Sequence, residues 1–382
     1  AVLALAAAAA PLLLWAVLPY SWRPYGNDKR LFDGISDFYN KSSGIWEQVW
    51  GEHMHSGHYG ADGADVDKDP QQAQHDMMEE LLRFSGVNTK SKKERVKSII
   101  DIGCGIGGSS RFLARSCENA EVTGVTLSPV QAARATELNR EEGLHTRVQN
   151  VVANALKLPY PDGSFDLAWS LESGEHMPDK EAWLAEVYRV LKPGGTFVCV
   201  TWCHREEGED EGGALTAAEA RHLGRISYNY HLPEWVPLSR YVDVCSKTGL
   251  EVSATEDWTA AILPFWPAVI RSALQPMVLV QLLFCTSWAT VKGAVTALLM
   301  MQGFNMHLLV FGAFVATKGL PPPSGVSGRR RRAASRSPSP AATGAQRATR
   351  RSARKPASSS GSSGGSSSGG GEGDDSAAIY LY

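Results

Sequence analysis

No Cys-x-x-Cys pair occurs in the 382 residues; Cys104, Cys117, Cys199, Cys203, Cys245 and Cys285 are scattered singly. That spacing excludes a zinc ribbon and a disulfide-stapled scaffold, and it reads as reduced, mostly buried thiols. The chain also lacks a positive surplus outside its tail. Of 38 Lys and Arg and 40 Asp and Glu, ten bases and three acids lie from Gly319 onward, leaving 28 bases against 37 acids before it. Phosphate binding needs clustered Lys and Arg, so nucleic acid is excluded as the main partner of the globular part. His53, His55 and His58 stand close together, but no carboxylate or Cys recurs at ligand spacing beside them. No metal site is expected.

Charge is absent from residues 1 to 20, AVLALAAAAAPLLLWAVLPY, a stretch long enough to span a bilayer. It has neither the basic leader of a signal peptide nor the Arg and Ser of a simple transit peptide. A membrane anchor and the remnant of a targeting presequence fit it equally, and residues 1–22 are set apart from the fold. The chain starts at Ala1, as a processed form or a fragment would. Residues 319–382 lack the apolar side chains that offset chain entropy. They read as a disordered tail, basic at Arg329 to Arg332 and then rich in Ser and Gly.

Between these ends, strand-like and helix-like segments alternate. KSIIDIG, AEVTGVT, RVQNVVA, FDLAWS and GTFVCVTW are apolar strand patterns, separated by SSRFLARS, SPVQAARATELNREEG and DKEAWLAEVYRVLKPGG. Ser128 suits an N-cap with Pro129 in the first turn, and Lys192-Pro193-Gly194-Gly195 a helix stop. Such alternation predicts a mostly parallel sheet with helices on both faces. EVSATEDW and HLLVFGAFVATKG supply two more strands, seven in all. Two insertions, about 204–250 and 259–307, are expected to cap the ligand crevice. The second is aromatic and apolar, but Pro264, Pro267, Pro276 and Lys292 break it too often for a membrane span. One domain over residues 23–318 is expected.

The chemistry concentrates after the first strand, in IIDIGCGIGG. Gly103, Gly105 and Gly107, with Cys104 between them, allow close backbone approach to a ligand, and the following helix N-terminus offers free N–H groups. Asp101 leads the turn with a carboxylate suited to an amino group. An acid before GCGIGG points to S-adenosylmethionine rather than a dinucleotide. The second strand ends without the acid that ordinarily grips ribose hydroxyls; Thr126, Leu127 and Gln131 stand there instead. Asn154 and Ala155 follow the third strand, where a side-chain amide meets an adenine edge. Glu172 and His176 follow the fourth and face the crevice, as candidate polar groups near the transferred methyl. Upstream, FYNKSSGIWEQVWGEHMHSGHYG is aromatic for a surface leader. It is expected to fold over the cofactor, with Tyr39 and Ser42 as contacts.

Over about Asp37 to Lys318 the chain resembles the γ-tocopherol methyltransferase family. The likeness rests on the leader FYNKSSGIWEQVWGEHMHSGHY, on DIGCGIGGSSRFLA, and on GVTLSPVQAARA with its Thr126. It extends through SFDLAWSLESGEHMPDK, RVLKPGGTFVCVTW and EDWTAAILPFWPAVIRSAL. One departure is HSGHYG, where the family runs His-His-Gly-Tyr-Tyr. The resemblance implies a Rossmann-like α/β methyltransferase that uses S-adenosylmethionine to methylate a ring carbon of a tocopherol chromanol, γ to α and δ to β. It also implies a plastid location at the envelope or plastoglobule surface and a lipophilic phenol as partner. For that chemistry His176 is expected to contact the phenol, with Glu172 supporting the sulfonium or the phenol, and Trp258, Phe265 and Trp266 to line the apolar cap around the prenyl-derived tail. Two rivals stand beside it. One is a methyltransferase of the same shape acting on an alkaloid nitrogen, a sterol carbon or a plastid benzoquinol; the other is a non-catalytic, membrane-associated binding protein.

Overall fold

The computed structural model describes residues 29–88, 96–208, 212–273 and 288–320. The apolar stretch 1–20, the cap stretch 274–287 and the tail lie outside the described residues. Two helices, α1 (Lys29–Trp50) and α2 (Pro70–Phe84), precede β1 (Ser98–Ile102), α3 (Gly108–Ser116), β2 (Glu121–Thr126), α4 (Pro129–Glu141) and β3 (Val148–Val152). Then come β4 (Phe165–Leu171), a 3₁₀ turn (Gly174–His176), α5 (Lys180–Val190), β5 (Leu191–His204), α6 (Ala217–Tyr230), α7 (Leu238–Thr248) and β6 (Leu250–Asp257). The described chain ends with α8 (Thr259–Ile262), α9 (Phe265–Ala273), α10 (Trp288–Asn305) and β7 (Leu309–Lys318).

The seven strands form one sheet in the order β3-β2-β1-β4-β5-β7-β6. The first five pair in parallel; β7 runs antiparallel to both β5 and β6. All seven strands coincide with the apolar runs seen in the sequence. Parallel strands buried on both faces read as unbroken hydrophobic stretches, which is why Ile99, Ile100 and Ile102 stand almost in a row. One expectation changes. The helix stops as predicted, α5 ending at Val190, but the Lys192–Gly195 turn that follows lies inside β5, looped out of the ladder. Phe165 pairs with Leu191, the next pair is Leu167 with Thr196, and Gly194 takes φ 80° in between.

Ser128 caps α4 as predicted, its hydroxyl accepting from Gln131 N–H at 3.0 Å. A core under the leader and cap includes Phe38, Met77, Trp169, Trp266 and Phe311; one on the opposite face is built on Trp183, Val187, Phe197, Tyr241 and Phe314. β1 lies between β2 and β4, where the strand order reverses direction. That switch point opens a crevice at the strands' carboxyl ends. No helix among the described residues is long and apolar enough to cross a membrane.

Candidate active site

A cleft of about 970 Å³, open mouth included, occupies that crevice. Its floor is the glycine turn after β1, its walls the ends of β2, β3 and β4, and its roof α1 with the segment 51–55. Gly103, Gly105 and Gly107 have φ of 85°, 54° and 84°, conformations only glycine adopts freely. Gly103 has a second constraint: a Cβ there would sit 2.3 Å from that of Ser173.

One end of the cleft suits a nucleoside. Cys104, Thr126, Leu127, Gln131, Asn154 and Ala155 all line it. Thr126 donates from its hydroxyl to Gln131 Oε1 at 2.9 Å, and the Gln131 amide donates to Ser43 Oγ at 3.1 Å. The two residues standing where an acid was anticipated thus form one network with the roof. Asn154 Oδ1 accepts from Leu156 N–H at 2.9 Å, so its carbonyl serves the turn.

Three of the residues expected to contact the cofactor sit away from the cleft lining. The Asp101 carboxylate lies beneath the turn, 1% exposed, and accepts the Ser109 and Ser110 hydroxyls at 2.7 and 2.6 Å. Burial raises its pKa to about 6. Asp101 therefore braces the start of α3. Gly107 is the left-handed N-cap of α3 and is not a wall of the cleft. Ser42 is turned into its own helix, donating to Phe38 O at 2.8 Å. The roof contacts come instead from Phe32, Ile35, Ser36 and Tyr39, one helical face. Ser36 donates to Leu127 O at 3.2 Å, and Asn40 Oδ1 accepts the Ser128 hydroxyl at 2.6 Å. The spacing of these polar residues was the available signal for this face.

Titratable groups crowd the opposite end. Glu172 directly follows β4 with φ 50°, a strained conformation for a residue with a Cβ. Its Oε1 accepts the Ser56 backbone N–H at 2.6 Å, bringing the leader onto the strand end. Burial, and then the neighbouring Glu175, raises the Glu172 pKa to about 8. Glu175, which sequence reasoning passed over, is 5% exposed and accepts the Thr201 hydroxyl at 2.6 Å; burial raises its pKa to about 7. Lys180 Nζ, equally hidden, donates to the carbonyls of Gly174, Glu175 and Met177 at 2.8, 3.2 and 2.7 Å. Those bonds hold the 3₁₀ turn that presents Glu175 and His176. His176 Nε2 is 3.0 Å from the Tyr39 hydroxyl. Burial lowers the His176 pKa to about 3 and raises that of Tyr39, so the pair is neutral.

The leader closes over this site. Arg111, 0% exposed, binds Glu52 of the leader, Glu142 at 2.9 Å and Ile106 O at 2.9 Å. Gln74 donates to the carbonyls of His53 and His55 at 2.8 and 2.9 Å. Among the described residues, the one group of His, Cys, Asp or Glu close enough to share a metal is His75, Asp76 and Glu79 on α2. None of the three leader histidines belongs to it.

Trp258, Phe265 and Trp266 are 6, 6 and 4% exposed and do not line the cleft. Trp258 packs edge-on against Phe84 and His58, and Trp266 against Trp202, Phe265 and Phe304. All three belong to the buried core under the leader and cap.

A glycine turn at the switch point of a seven-stranded sheet with this strand order, beside buried carboxyls whose pKa values burial raises, defines a Rossmann-like methyltransferase. A family model described as a methyltransferase domain matches residues 100–199. The solved structure of geranyl diphosphate C-methyltransferase from Streptomyces coelicolor A3(2) superposes with a TM-score of 0.58 at 20% identity, over 77% of this chain and 100% of that one. The chain is 46% identical to the probable chloroplastic tocopherol O-methyltransferase of Oryza sativa subsp. japonica, over 75% of this chain and 78% of the relative. It is 44% identical to the chloroplastic tocopherol O-methyltransferase of Arabidopsis thaliana, over 75% and 82%. The chain belongs to the tocopherol methyltransferase family.

Proposed function

We propose that this protein methylates a tocopherol chromanol in vitamin E synthesis, converting γ- to α-tocopherol and δ- to β-tocopherol with S-adenosylmethionine as donor. What carries the proposal is the joining of a glycine-turn cleft to a buried, uncharged cluster of Glu172, His176 and Tyr39, in a chain of this family. When bound, the cofactor supplies an electrophilic methyl group on a sulfonium. Gly103, Cys104 and Gly105 form its floor, and Thr126, Leu127, Gln131, Asn154 and Ala155 flank the nucleoside; Asp101 and Gly107 hold the turn in shape. A phenol has a pKa near ~10 and is a weak carbon nucleophile until its proton is shared. Glu172 is protonated in the resting cleft, and a pKa of about 8 lies close enough to neutrality for its ionised form to take the phenol's proton as the base. With Tyr39 donating to Nε2, the neutral His176 keeps its proton on Nδ1 and offers it to the phenol oxygen. With a methyl supplied by the bound cofactor, the phenol would pass its proton to ionised Glu172 and recover one from it afterwards, while the hydrogen of the methylated ring carbon would leave as the one proton released per turnover. Exclusion of water by the roof supplies orientation and strengthens each of these contacts.

The relatives' chloroplastic names support a plastid location, and a lipophilic acceptor supports work at a membrane surface, the envelope or a plastoglobule. Incubation with labelled cofactor and γ-tocopherol, set against an alkaloid amine, a sterol and a plastid benzoquinol, tests the proposal. A labelled methyl on the chromanol ring carbon is the expected product. A methyl ether, or turnover of another acceptor alone, overturns it. Absence of cofactor binding by calorimetry would instead mark a non-catalytic protein.

A further inference from the structure

His55 belongs to the cleft lining, yet no step above uses it. Its Nδ1 lies 2.9 Å from the backbone oxygen of Ser56. A carbonyl only accepts, so Nδ1 carries the proton and Nε2 is left with a bare lone pair. That Nε2 is buried and has no partner among the described residues. The residue is 7% exposed, and burial lowers its pKa to about 3, so the ring stays neutral. A buried acceptor with no donor is costly, and native proteins rarely leave one unmatched. The neighbouring residue binds Glu172 through its N–H, so His55 sits at the reactive end.

We propose that His55 Nε2 accepts a hydrogen bond from a donor group of the bound ligands, fixing their orientation in the closed cleft. The proposal rests on the methyltransferase function above, which offers two such donors: the acceptor's hydroxyl and the cofactor's ammonium. It adds a ligand-binding residue to the leader segment that Glu172 holds through the Ser56 N–H.

Two variants separate this role from a structural one. His55→Asn keeps an N–H where Nδ1 stood, preserving the bond to Ser56 O, and removes the Nε2 acceptor. His55→Gln does the reverse, placing a carbonyl oxygen near the Nε2 position. The expected result is that Asn weakens ligand binding about 10- to 100-fold while Gln recovers most of it. Calorimetry with S-adenosylhomocysteine and with S-adenosylmethionine reads the cofactor arm; KM for γ-tocopherol reads the acceptor arm. A raised KM alone identifies the hydroxyl, and a raised cofactor Kd the ammonium. Wild-type affinities in the Asn variant, or a Gln variant worse than Asn, overturn the proposal. If the wild type binds cofactor but leaves γ-tocopherol unchanged, the functional proposal fails, and the cofactor arm still decides on His55.

Discussion

Replacing Glu172 with Gln should make the free protein more stable while removing its activity. The carboxyl is moved from 4.5 to about 8 by burial and by Glu175. Between those values the unfolded chain releases the proton and the native chain keeps it. The native state then binds more protons, so wild-type stability falls as pH rises through this window. Keeping the site protonated costs about 3 kcal/mol at about pH 7, and on the order of 5 kcal/mol above about pH 8, where the cost levels off. Gln has no proton to lose and retains an oxygen for the Ser56 N–H. Denaturant unfolding of both forms at about pH 5, 7 and 9 measures the difference. The advantage of Glu172→Gln should be small at the lowest value, grow through neutrality and then flatten. An advantage independent of pH, or a variant less stable than wild type at about pH 8, would refute the assignment of Glu172 as a buried neutral acid.

Asp101→Ala leaves the Ser109 and Ser110 hydroxyls without their acceptor, and cofactor affinity by calorimetry should fall about 10- to 100-fold as the turn loosens. Gly108→Ala puts a Cβ 2.4 Å from His53 Nδ1 and 2.7 Å from Glu52 O. The leader should then lose its seat and become open to limited proteolysis, with the sheet still folded by circular dichroism. Trp266→Ala should cost about 3–5 kcal/mol of stability in denaturant unfolding, as expected of a buried core tryptophan. A stable variant with only a raised acceptor KM would instead return Trp266 to the substrate wall.

The strands and the glycine turn were legible in the sequence because parallel strands must be continuously apolar and tight turns must be glycine. Both constraints act locally. The roof was not legible to the same depth. Ser36, Asn40 and Ser43 look like ordinary polar residues on a helix, and only the folded chain shows them meeting Leu127, Ser128 and Gln131. Burial explains the other differences. An aromatic side chain has the same pattern whether it walls a cleft or fills a core, so Trp258, Phe265 and Trp266 could not be told apart from lining residues. Glu175 was hidden for the opposite reason: a carboxylate next to a histidine reads as surface until Thr201 and Lys180 are seen to enclose it.

The cap springs from two neighbouring strands, β6 and β7, and the Trp258 N–H donates to Phe311 O at 2.8 Å where the excursion begins and returns. Its two feet therefore stand side by side on an edge of the sheet far in strand order from the glycine turn. An excursion with adjoining ends adds little closure entropy however long it grows. Changes of length between Asp257 and Leu309 can thus be absorbed at that edge without moving the strands that carry the glycine turn.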